Sequence, residues 1–73
     1  MRYVDEIYKA NCAVSVYENK GGKFIRDFYF YLESGDKWSY AVRWVCNNYP
    51  MYVGKNTCIK TFGVTLGRKV GVC

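Results

Sequence analysis

One stretch limits the folds open to this chain more than any other: Lys23–Ser34, KFIRDFYFYLES. Read at period two, one side carries Phe24, Phe28, Phe30 and Leu32, interrupted by Arg26. The other side carries Ile25, Asp27, Tyr29, Tyr31 and Glu33. Alternation of this kind predicts a strand in the middle of a sheet. The Phe/Leu face requires a core, whereas the tyrosine face tolerates water because each ring ends in a hydroxyl.

The flanking segments supply the rest of a sheet. Cys12–Glu18 alternates Cys12, Val14 and Val16 with Ala13, Ser15 and Tyr17, and a turn at Asn19–Gly22 joins it to the aromatic strand. A three-residue loop, Asn19–Gly21, would pair Glu18 with Gly22, Val16 with Phe24 and Cys12 with Phe28, keeping the apolar faces together. That register leaves Arg26 on the core side, to snorkel past the edge or meet a carboxylate. Residues 2–10 place Tyr3 with Ile7 and Val4 with Tyr8 at helical spacing, which predicts a short helix, with an extended segment as the alternative. KWSYAVRWVCNNYP reads either way. As a strand it lines up Trp38, Tyr40, Val42, Trp44 and Cys46; as a helix, Trp38, Ala41, Val42, Val45 and Tyr49. Asp36 as N-cap, Asn47-Asn48 as a terminator and Pro50 beyond decide for a helix over about 37–48. Met51–Val53 reads as extended. Thr57–Leu66 reads as a strand with Cys58, Phe62, Val64 and Leu66 in phase, then a turn at Gly67–Lys69 and an edge strand over Val70–Cys73. The expected architecture is α+β in two layers: an antiparallel sheet with one main helix on one face.

Seventy-three residues are enough for a single compact domain, 1–73, with an economical core. Eight tyrosines, four phenylalanines and two tryptophans meet that need. The four cysteines, at 12, 46, 58 and 73, contain no Cys-x-x-Cys pair, and there is no histidine. Free thiols acting as small apolar residues are expected, rather than a metal site or disulfides. No signal peptide or bilayer-length apolar run is present, so a cytoplasmic protein is expected.

Charge is the sharpest functional clue. Through Asp36 there are five basic and six acidic side chains, a net −1. Beyond it stand Lys37, Arg43, Lys55, Lys60, Arg68 and Lys69 without one carboxylate, a net +6. A cationic half attracts acidic protein, nucleic acid or anionic lipid, or simply keeps a small domain soluble. On the helix, Tyr40 and Trp44 are i, i+4 neighbours flanking Arg43, and all three are types that dominate binding hot spots. Lys37, Tyr40, Arg43, Trp44, Lys55, Lys60, Arg68 and Lys69 are therefore the expected partner-binding set. Tyr17, Tyr29 and Tyr31 form a second surface, suited to self-association more than to base stacking, because Asp27 shares their face and repels phosphate.

Without histidine, neither a Cys-His pair nor a Ser-His-Asp triad can be assembled, and no phosphate-cradling glycine loop is present. No enzymatic activity, cofactor or metal is expected. In size, aromatic richness and want of catalytic residues the chain resembles small phage-encoded inhibitors of the anti-CRISPR kind. That resemblance implies a stoichiometric inhibitor of a bacterial defence complex, working in the host cytoplasm; it assigns no residue. The positive balance departs from the acidic, DNA-mimicking members of that group. Three functions follow: a non-catalytic protein docking on a larger protein or nucleoprotein complex, a basic nucleic-acid-binding module, or a homo-oligomeric structural protein. Monomer and homodimer are both compatible with the sequence, and no membrane partner is expected.

Overall fold

A computed structural model describes the backbone of residues 1–72 and side chains through Gly71. Five strands, β1 (Arg2–Val4), β2 (Cys12–Glu18), β3 (Phe24–Tyr31), β4 (Thr57–Thr65) and β5 (Arg68–Val72), form one antiparallel sheet in the order β1-β3-β2-β4-β5. Helix α1 (Trp38–Asn48) packs on one face, giving the expected α+β architecture. The aromatic strand β3 lies inside the sheet, held between β1 and β2.

The core forms between α1 and the face bearing Cys12, Val14, Val16, Phe28 and Phe30. Ala41 and Val45 are its fully buried helical members, with Trp38, Val42, Trp44 and Tyr49 packed against it. The helical stripe read from the sequence is thus the buried one. Its N-cap is Lys37 rather than Asp36. Asp36 is occupied elsewhere: its Oδ2 accepts the backbone N–H of Glu33 at 2.9 Å and pairs with the N-terminal ammonium at 2.7 Å.

The β2–β3 register differs from the expected one. Cys12 faces Phe30 and Val14 faces Phe28, two residues further along β3 than a three-residue loop allows. The shift is even, so the core faces still match. A bulge at Val16/Tyr17 then sets Tyr17 opposite Phe24, which moves Phe24 to the face away from the helix. Arg26 stays on the core side, where its guanidinium lies 4.3 Å from the Phe28 ring centre and 5.0 Å from that of Tyr49. The cation caps the core by stacking on its rim.

The N-terminal segment is not a helix. Tyr3 pairs with Phe30 in β1, and its ring stacks on Trp44 at 4.8 Å. A single 3-10 turn, Ile7–Lys9, follows. Pairing of three residues with β3 and the stacking of Tyr3 on Trp44 outweigh the weak drive of a short helix to form alone. Because β1 and β2 flank β3, the connection between them must cross that strand. Asn11 anchors its far end like a piece of strand, its side chain donating to the Leu32 carbonyl (2.8 Å) and accepting the Leu32 N–H (2.7 Å). Pro50–Tyr52 is a 3-10 turn rather than an extended piece, and the last turn is Leu66-Gly67, so Arg68 and Lys69 already belong to β5. Cys12, Cys46 and Cys58 form no disulfide; Cys73 lies outside the described residues. No helix among the described residues is long and apolar enough to cross a membrane.

Candidate binding surfaces

The sheet face away from α1 is curled. Lys69, on β5, forms an ion pair of 2.7 Å with Asp27 on β3. Those strands are three steps apart in the sheet order, about 14 Å if the sheet were flat, further than a lysine side chain extends. The sheet must therefore fold its β5 edge toward β3, and the bulges at Val16/Tyr17 and Gly63/Val64 supply the bend. The pair closes over Ser15, which is wholly buried; Lys69 Nζ donates to its Oγ at 3.0 Å, and that hydroxyl donates to Asp27. Tyr29 also donates its hydroxyl to Asp27, at 3.3 Å. Burial, then the nearby Asp27 charge, push the Tyr29 phenol above its ordinary pKa. Every polar group in this knot has a partner, so it braces the fold. Ser15 is sealed beneath it, with no room for a substrate at its oxygen.

Around the knot stand aromatic rings and lysines. The Lys69 ammonium lies 5.4 Å from the Phe24 ring centre and 5.1 Å from that of Phe62, and Lys60 lies 5.3 Å from that of Tyr17. Tyr17, Tyr29 and Tyr31 do share this face, as the alternation requires. Tyr31 is covered in part by Arg2, 5.2 Å from its ring centre.

The eight residues expected to meet a partner are not gathered into one patch. Lys37, Tyr40 and Arg43 are exposed on the helical layer. Lys60 is exposed on the opposite side of the sheet, Lys55 belongs to the loop before β4, and Lys69 is spent on Asp27. Trp44 is not an exposed anchor. Its ring lies against Tyr3, Phe28, Phe30 and Tyr49, with centroids 4.8 to 6.3 Å apart, so it is half-buried and packs against the core cluster. The strand it stacks on, β1, is in the sequence only the alternative to a short helix, and no local pattern points to its contact with Trp44.

Arg68 alone of the eight adjoins a feature that sequence reasoning passed over. The β4–β5 hairpin turns on two residues, Leu66 and Gly67, at φ 53° and 74°. Both positive values are those of a type I′ turn, whose first position normally takes asparagine, aspartate or glycine. Here it holds leucine, 92% exposed. Gly67 suits the second position at φ 74°, and the Tyr8 ring lies over it, 2.6 Å from where a Cβ would stand. Tyr8 is itself exposed, so Leu66 from the cationic half of the chain and Tyr8 from the N-terminal half, whose ring lies over Gly67, make an apolar tip. The signal was the parity of Thr65 and Arg68 about Leu-Gly, which fits a two-residue hairpin.

Among the described residues no group of three or more metal-ligating side chains is assembled. Comparison with known proteins finds no matching family model, no matching curated protein and no matching solved structure.

Proposed function

We propose that this is a non-catalytic binding protein, of the stoichiometric-inhibitor kind, that docks on an acidic surface of a larger protein or nucleoprotein complex. The observation that supports this reading most is Leu66. A bulky residue in left-handed backbone costs about 1–2 kcal/mol over glycine, and an exposed leucine recovers none of it by packing. A sequence that keeps such a residue at a turn tip forgoes stability for contact. Leu66 and Tyr8 supply an apolar anchor, and Arg68 beside them selects a pocket rimmed by carboxylates. Lys37, Arg43, Lys55 and Lys60, spread over the surface, contribute long-range attraction rather than contacts.

Substituting Leu66→Asn tests the trade. The variant melts higher, by roughly 4–8 °C for a gain of about 1 kcal/mol in a domain of this size. In nuclease-treated pull-downs from source cells, the unaltered protein retains a partner that Leu66→Asn and Arg68→Gln lose. An unchanged or lower melting temperature removes the argument from strain. A partner lost on nuclease treatment would replace this reading with a nucleic-acid module, and a partner held equally by all three forms would move the surface elsewhere.

A further inference from the structure

The opposite end of the sheet holds a cleft of about 540 Å³ between the β2–β3 loop and the segment joining α1 to β4. It lies at the Glu18/Thr57 end of the β2–β4 pair, while Leu66 follows the other end of β4, so the two sites are separated by the length of the strand. The volume falls in the range of small-ligand sites, about 300–1,000 Å³. Its apolar side is Ile25, Met51 and Tyr52, of which Ile25 and Met51 are left exposed. Its polar side is Lys20, Lys55 and Glu18, with Asn56 beside them.

The loops forming it are tied together. The Asn19 side chain donates to the Lys55 carbonyl at 2.9 Å, its backbone N–H donates to the Asn56 carbonyl at 2.9 Å, and Thr57 donates its hydroxyl to the Tyr52 carbonyl. The shape is therefore pre-formed. No ion pair engages Lys20 or Lys55 among the described residues, so two ammoniums from different loops are available to one anion. An oxyanion with several acceptor oxygens, such as phosphate, can serve both. Glu18 opposes a bare anion but accepts hydrogen bonds from hydroxyl or amino groups. Met51, largely exposed, offers its thioether to a flat π-face, and Tyr52, whose ring packs against Phe28 and Tyr49, lines the cleft beside it.

We propose that this cleft binds a nucleotide unit: a flat ring against Ile25, Met51 and Tyr52, its phosphate between Lys20 and Lys55, and a sugar or ring donor on Glu18. The site is independent of docking through Leu66 and can stand or fall without it. The shared chemistry has two sources, a free mononucleotide or one residue of a single strand, and the probes separate them.

The test is a titration of the isotopically labelled full chain with adenosine 5′-monophosphate, adenosine, inorganic phosphate and a hexameric oligodeoxyadenylate, followed by amide chemical shifts. The monophosphate produces saturable shifts at Lys20, Ile25, Met51, Lys55 and Asn56, with a Kd of about 1 mM or tighter. Adenosine and phosphate each bind about tenfold more weakly, a loss of roughly 1.4 kcal/mol. Lys55→Gln and Met51→Ser, both at exposed positions, each weaken the monophosphate by a similar factor without moving the melting temperature. An oligonucleotide that binds the same residues about tenfold more tightly identifies the strand as the source; equal affinity identifies the free nucleotide. Absence of saturable shifts in the cleft overturns the proposal. So does phosphate or adenosine binding as tightly as the nucleotide, or variants that bind unchanged.

Discussion

Replacing Lys69 by methionine keeps the apolar stem of the side chain and removes its charge. Asp27, 11% exposed in the intact pair against 28% for Lys69, is then left without its cation. Breaking one partner of a buried pair costs about 3–5 kcal/mol, most of it the penalty of an uncompensated charge. Here Asp27 keeps hydrogen bonds from Ser15 and Tyr29, so the loss should sit near the lower end, about 3 kcal/mol. For a domain of this size that lowers the melting temperature by roughly 12–24 °C. Asp27→Asn removes the other charge, and the double variant Asp27→Asn/Lys69→Met removes both. Urea unfolding of all four proteins closes the cycle. The double variant should be more stable than the sum of the single losses implies, with a coupling of at least about 1 kcal/mol. If the losses simply add within about 0.5 kcal/mol, the ion pair does not hold β5 toward β3, and the account of the curled sheet fails.

Two further outcomes follow from the packing. Trp44→Ala should destabilise the chain by about 3 kcal/mol or more, because an indole in contact with four rings leaves a cavity; a loss under about 1 kcal/mol in urea unfolding would return Trp44 to the surface. Tyr29 titrates above its ordinary value, so its contribution to stability is complete below the unfolded tyrosine pKa and is lost as pH rises through the folded one. Ultraviolet titration should find Tyr29 ionising above the ordinary tyrosine value, and Asp27→Asn should bring it down; a titration unaltered by that substitution would separate Tyr29 from Asp27.

Much of this protein could be read from residue order alone. The two-residue period of Cys12–Glu18 and of Phe28–Tyr31, and the helical stripe of Ala41, Val42 and Val45, are local patterns that dictate which faces need burial. They sufficed for an antiparallel sheet with one helix on it. The charge asymmetry was equally visible, since it depends on composition. What the sequence left open depended on contacts between distant residues. Whether residues 2–4 are strand or helix is decided by pairing with Tyr29–Tyr31 and by stacking on Trp44, forty positions away and unseen by any local pattern. The same contact takes Trp44 out of the binding surface. Bulges, which no alternation predicts, move Phe24 to the other face and bend the sheet until Lys69 meets Asp27. Six cations counted along the chain are therefore not one basic patch in space: charge adds up along a sequence, but the surface it makes depends on where strands curl and which cations are already paired.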